Sequence, residues 1–186
     1  IEVRCNEYTG RTPNPNVPWS AHEIAADAAA CRDAGASIVH FHARDPLSGA
    51  PAWDTASYAS VIHSVRARTD VLLNPTLGAS TIADPLVRCA HIPELALDPA
   101  TRPELAPVDL ASLNIDPYDP VARRFVAEDL TYVTSVRGLR HEIAAIRGAG
   151  VAVQAVLWNV GSCRLLGAFL ELDVLPPTVF TEIILS

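Results

Sequence analysis

Apolar and polar positions along the chain fall into short β-type runs and longer helical ones that take turns. Residues 1–8, IEVRCNEY, alternate and carry β-branched residues, predicting a first strand. Three prolines and a glycine make 9–19 a loop. Ser20 then predicts a helix N-cap, with Glu23 three residues on as a capping box requires. Ile24, Ala28 and Cys31 keep the helical period to about Ala34, and Gly35 suits a C-terminal stop. SIVHFHA at 37–43 is the second strand, followed by a loop at 44–53. Asp54 caps a second predicted helix with Tyr58, Val61, Ile62 and Val65 on one side.

The alternation continues. DVLLNPT is a third strand, ending at Pro75–Gly78, and a short helix is predicted around 83–91 before a proline-rich segment at 93–107. VDLASLNI at 108–115 reads as a fourth strand, LRHEIAAIRGAG as a helix and VAVQAVLW as a fifth strand. SCRLLGAFLEL is a helix and TVFTEIILS a sixth strand. Strands alternating with helices predict an α/β fold with a parallel sheet, either open and doubly wound or closed as a (β/α)8 TIM barrel. No GxGxxG follows the first strand, so the dinucleotide fold lacks its signature. Polar groups recur at strand ends: Asn6 and Glu7, His40 and His42, Asn74 and Thr76, Ser112 and Asn114, Trp158 and Asn159. A barrel gathers such ends at one mouth, which favours a single barrel domain over 1–186 with about six β/α units visible and the C-terminal units missing.

Composition narrows the function. The 186 residues are 49% hydrophobic and 19% charged, as in a globular domain. A net charge of −7 and the lack of any basic run argue against a nucleic-acid binder. No apolar stretch approaches the roughly 18 residues of a membrane span, and no signal-peptide pattern opens the chain. Cys5, Cys31, Cys89 and Cys163 form no CxxC pair and read as reduced thiols of a cytoplasmic protein. The chain holds no methionine and starts at Ile1, and a barrel short of two strands would expose two sheet edges, so a longer native polypeptide, or a partner chain that closes the sheet, is expected.

The chemistry centres on VHFHARD. Residues two apart on a strand point the same way, so His40 and His42 share a face while Val39 and Phe41 face the helices. Two neutral imidazoles so placed can bind one metal ion; equally, they can be a hydrogen-bonded pair of core histidines. A catalytic zinc takes three protein ligands, so a third must come from another strand. Arg44 and Asp45 fit a rim ion pair or a substrate contact. Thr76, in NPTLG, offers a hydroxyl beside backbone N–H groups that can hold a carboxylate, or simply closes a βα turn. Asn114 can orient a substrate or form a turn. His22, His63, His91 and His141 lie on helices and read as surface or packing residues.

NPNVPWSAHEIAADAAACRDAGASIVHFHARD, then PTLG, SLN and AVLWNVGSCRLLGAFLE, resembles the β-keto acid cleavage enzymes over essentially the whole chain. The resemblance implies a (β/α)8 barrel with one divalent metal, usually zinc, and acetyl-CoA as co-substrate. The implied reaction turns a β-keto acid and acetyl-CoA into acetoacetate and a new acyl-CoA. It makes His40 and His42 metal ligands, Thr76, Ser112 and Asn114 substrate contacts, and the protein a homo-oligomer, commonly a tetramer. The family's late Arg-x-Gly-x-Glu-Asp-Asn motif, which brings a third ligand and the general base, is not found before Ser186, so the base is expected beyond that residue. Gln154 and Val156 stand where many members carry Pro-Glu-x-Glu carboxylates, which disfavours an amine-bearing keto acid. The alternatives are a truncated, non-catalytic relative that binds metal or a partner, and an unrelated barrel enzyme such as a metal-dependent aldolase.

Overall fold

The computed structural model of the protein describes residues 1–78, 82 and 84–185. Its centre is β2 (Ile38–Phe41), paired in parallel with β1 (Glu2–Arg4) on one side and β3 (Leu72–Pro75) on the other. Val39 and Phe41 point under the two flanking helices, α1 (Ala21–Asp33) and α2 (Thr55–Arg66). There they pack with Ile24, Ala28, Val61, Ile62 and Leu73 in one continuous core. Both helices start as expected. Ser20 and Glu23 form the reciprocal capping box, and Asp54 accepts a hydrogen bond from the Ser57 amide at 2.8 Å.

Two short helices, α3 (Pro85–Arg88) and α4 (His91–Leu95), lead to β4 (Leu105–Asp109). The single helix expected around 83–91 is therefore two pieces, and its first residue lies outside the described ones. The fourth strand also lies earlier than 108–115. Pro107 reads as a strand breaker in sequence. Among the described residues β4 is strand-paired on one side only, with β9, and a proline can be tolerated at such an edge. Residues after β4 form two small antiparallel ribbons that the sequence pattern does not foretell: β5 (Leu113–Asn114), β6 (Tyr118–Asp119), β7 (Arg124–Phe125) and β8 (Thr131–Tyr132), with β5 on β8 and β6 on β7.

The helix α5 (Val136–Gly148), β9 (Ala152–Leu157), α6 (Val160–Glu171) and β10 (Phe180–Ile183) complete the chain. Ser135 and Asn159 cap the two helices, and the last residue expected in the sixth strand, Ser186, lies outside the described ones. β9 pairs in parallel with β4 and β10. Ala106, Val108, Val153 and Ala155 bury one face of this sheet against Leu139, Ile143, Ile146 and Phe169.

The parallel α/β expectation holds, with neighbouring strands following chain order. Closure does not appear: among the described residues the six strands form two three-stranded sheets and no complete ring. Their seam is stitched by Glu104, whose carboxylate accepts from the Leu73 amide at 2.9 Å and from Arg66 at 2.8 Å. Between the outer strands, the Arg4 guanidinium on β1 makes a two-pronged ion pair with Glu182 on β10. Among the described residues no helix is long and apolar enough to cross a membrane.

One buried charge pair gives a pH signature. Arg88 on α3 and Glu142 on α5 are each 1% exposed, and Arg88 Nη1 lies 3.6 Å from Glu142 Oε1. Burial pushes the Glu142 carboxyl up from 4.5 to about 7, against the opposing pull of Arg88. A raised carboxyl keeps its proton longer in the folded state than in the unfolded one. Its contribution is therefore most favourable below pH 4.5 and is lost as pH rises through 7, a change on the order of 3 kcal/mol. The buried, neutral His40 and His91 work the other way, since their lowered values make stability rise with pH in wild type and variant alike. Urea unfolding at pH 5 and pH 8 should therefore show the wild type losing stability relative to Glu142→Gln across that window, and a wild-type-minus-variant difference that does not change with pH would remove Glu142 as a source.

A candidate metal centre at the strand ends

β1 ends in an unusual turn. Glu7 has φ of 43°, in the left-handed region that a branched or long side chain enters at a cost. Two residues hold it there. The Asn6 side chain accepts from the His42 amide at 2.9 Å and donates to the His42 carbonyl at 2.9 Å, extending the β1–β2 ladder with an amide side chain. The Arg44 guanidinium reaches back from beyond β2 and donates to the carbonyls of Asn6, Glu7 and Thr9. Arg44 thus makes no pair with Asp45; Asp45 instead accepts from the Leu47 and Ser48 amides and closes its own turn. Strained backbone over-determined by its surroundings is a mark of functional sites.

This turn aims the Glu7 carboxylate at the two histidines. Its Oε2 lies 3.2 Å from His42 Nε2 and its Oε1 lies 3.7 Å from His40 Nε2. One ligand atom from each of Glu7, His40 and His42 falls within 4.8 Å of the other two. His40 and His42 are only 2% and 3% exposed, and their rings meet edge to face at 5.3 Å. Neither His40 ring nitrogen, nor His42 Nδ1, has a hydrogen-bond partner within normal geometry among the described residues. The two imidazoles are therefore not a mutually satisfied core pair, and such orphaned buried nitrogens call for a partner.

Electrostatics suit a cation. Burial drives His40 down to about 3, so the ring is neutral and keeps a lone pair at neutral pH. Burial alone pushes Glu7 up, but the hydrogen bond from His42, the nearby His40 and the Arg4 guanidinium outweigh it and hold the carboxyl well below its usual range. Two imidazoles and one carboxylate match the donor set of a three-ligand zinc site with an open position.

A cavity of about 520 Å³ opens over this cluster. Arg4, Glu7, His40, His42, Thr76 and Asp109 supply its polar lining; Tyr8, Pro107, Leu113, Ile115, Leu130, Tyr132, Val156 and Trp158 supply the rest. Thr76 is fixed from three directions: its amide donates to the Phe41 carbonyl at 3.1 Å, its carbonyl accepts from His91 Nε2 at 2.9 Å, and its hydroxyl accepts from the Gly78 amide at 3.3 Å. Gly78, at φ of 71°, leaves no room for a side chain, because a Cβ there would lie 2.0 Å from the Trp53 ring. His91 stacks on Tyr58 and is a packing residue, as its helical position suggests.

Ser112 and Asn114 do not reach this cavity. The Ser112 hydroxyl donates to the Thr134 carbonyl at 3.0 Å and accepts from its amide at 2.9 Å, pinning the ribbon, and Asn114 lies exposed on β5. Leu113 and Ile115, of opposite parity on the strand, are the ones that line it. Gln154 does not reach it either. It is buried between Asn74 Nδ2, at 2.7 Å, and the Glu2 carboxylate, at 2.6 Å. The sequence reading assigns no role to Glu7, Arg4 or Asp109. The only signal for Glu7 was its place at the end of the first strand; the register sets Arg4, not Glu7, beside His40, and the positive φ at Glu7 turns its side chain toward the histidines.

Known proteins resemble the chain in sequence and fold. The chain is 24% identical over 185 residues to the 3,5-dioxohexanoate:acetyl-CoA acetone transferase of Paraburkholderia graminis, covering 91% of the chain and 56% of that protein. It is 31% identical over 112 residues to the 3-keto-5-aminohexanoate cleavage enzyme of Fusobacterium nucleatum subsp. nucleatum, covering 59% of the chain and 38% of that protein. The chain thus spans about half, or less, of the length of these curated relatives. The apo structure of ObcA shares the fold, with a TM-score of 0.66 at 18% identity over 89% of this chain and 36% of that one. The model of one family, beta-keto acid cleavage enzyme, matches residues 1–186 from end to end, and the chain belongs to that family.

Proposed function

We propose that this chain forms part of a (β/α)8 barrel enzyme that transfers the acyl group of a β-keto acid to coenzyme A. The bond between the keto acid's acyl carbon and its two-carbon acid fragment breaks, the acyl group ends on the coenzyme A sulfur, and the acetyl group that leaves that sulfur takes its place on the two-carbon fragment. The products are acetoacetate and a new acyl-CoA. The observation that carries the reading is the Glu7–His40–His42 cluster, with its orphaned imidazole nitrogens, in the lining of a ligand-sized cavity.

In this reading His40 and His42 hold one divalent ion with Glu7, which stands beside or in place of the ligand that the resemblance expects beyond Ser186; the donor set is that of zinc. The bound ion supplies Lewis-acid stabilisation of negative charge developing on the keto acid's oxygens. The Thr76 hydroxyl, locked by its neighbours, orients the substrate carboxylate. The Arg4 guanidinium steadies the Glu7 carboxylate and keeps it ionised. The surrounding apolar wall limits water and so strengthens these charge interactions. The enzyme works in the cytoplasm, where Cys5, Cys31, Cys89 and Cys163 stay free thiols, and as a homo-oligomer.

The test is metal analysis and turnover on one sample. Protein dialysed against zinc should retain about one ion per chain and form acetoacetate from acetyl-CoA and a β-keto acid. Full activity surviving complete removal of the metal by chelation would sink the reading.

A further inference from the structure

We propose that the β-keto acid taken by this cavity carries an uncharged, apolar tail. The inference rests on the reading of the cavity as a β-keto acid site and goes on to name the substrate's other end.

The Glu7–His40–His42 cluster is one part of the cavity lining. Leu113, Ile115, Leu130 and Val156 add hydrocarbon to it, and Trp158 adds an indole. Hydrocarbon buried against hydrocarbon is favourable, whereas a charged tail placed against it loses its water without a new partner there. The charged groups that line the cavity are already engaged. Arg4 is held by Glu7 and Glu182. Asp109 accepts from the Trp158 indole N–H at 2.6 Å, and the Tyr132 hydroxyl that interacts with it is itself backed by Arg88 at 3.2 Å. A tail ammonium would therefore compete with built-in donors for Asp109 and sit in the field of Arg4. A tail carboxylate would meet Asp109 itself.

Gln154 strengthens the case. Had it faced the cavity, its amide could have served a polar tail. Its side chain is instead consumed by Asn74 and Glu2 beneath the site. The next inward residue on β9 is Val156, which does line the cavity and brings only methyl groups.

The experiment uses the zinc-loaded protein and three acids of similar length: 3-oxohexanoate, 5-amino-3-oxohexanoate and 3-oxoadipate. Tryptophan fluorescence, with Trp158 in the wall, measures the binding of each acid without acetyl-CoA. Turnover with acetyl-CoA then gives kcat/KM for each. The alkyl acid should bind at least about tenfold more tightly than either charged one and lead in kcat/KM by a similar factor. Leu130→Glu, on the half-exposed rim where a carboxylate can be accommodated, should move the preference toward the ammonium-bearing acid. Tighter binding of either charged acid to the wild type, or no binding of any, overturns the inference. Preferential binding of the alkyl acid without turnover supports the apolar site and overturns the proposed reaction instead.

Discussion

Replacing His40 with leucine should remove metal binding and, in the metal-free protein, leave the fold as stable as the wild type or more so. The two halves of this result come from one observation. His40 is buried and neutral, and neither ring nitrogen makes a hydrogen bond of normal geometry among the described residues; the Asn74 backbone and the Glu7 carboxylate, 3.7 Å away, interact with it only weakly. A buried polar atom left unsatisfied costs about 1–3 kcal/mol, and leucine removes two such atoms at similar volume. The apolar replacement should therefore gain about 1–2 kcal/mol in metal-free protein, read from urea unfolding. Loss of one of three ligands should weaken zinc binding by more than about 100-fold, beyond what outer partners of a ligand cost. With saturating zinc the order of stabilities reverses, because only the wild type gains from binding. A metal-free His40→Leu protein several kcal/mol less stable than wild type would mean that the imidazole is a structural residue with partners of its own.

The parts of the fold that local chemistry dictates were legible in the chain. Ser20 with Glu23, and Asp54 ahead of an apolar helical stripe, mark helix starts whatever surrounds them. The His40/His42 face followed from the two-residue period of a strand, and Thr76 from its place at the end of the next strand. What failed depended on partners far along the chain. Pro107 disguises β4 because a proline is acceptable only at an unpaired edge, and pairing is not written locally. The ribbons β5–β8 and β6–β7 are two-residue ladders with no periodicity to detect. Ser112 and Asn114 carry the right chemistry, but the strand parity sends Leu113 and Ile115 to the cavity instead. Glu7 was hidden for a similar reason. Its direction depends on a positive φ that Asn6 and Arg44 impose through contacts 36 to 38 residues apart in sequence.

Glu7→Gln should then be the second decisive substitution. Glutamine keeps the length and the backbone of Glu7 but offers a neutral amide where the cluster needs an anion. Zinc affinity should fall by about 100-fold or more, since a hard anionic oxygen is exchanged for a weakly coordinating carbonyl. The fold should survive, because Arg44 grips the carbonyl of residue 7 and not its side chain, and Arg4 keeps its pair with Glu182. Glu7→Gly separates the two roles of the position. Glycine adopts φ of 43° without the roughly 1–2 kcal/mol penalty of a side chain in the left-handed region, so the turn should persist while the ligand is gone. Both variants should therefore bind zinc poorly and resemble each other in metal-free melting, with glycine no less stable than glutamine. Calorimetric titration with zinc decides the matter. An affinity unchanged in Glu7→Gln would show that His40 and His42 take their third ligand from elsewhere, and that the strained turn aims Glu7 at the substrate rather than at the ion.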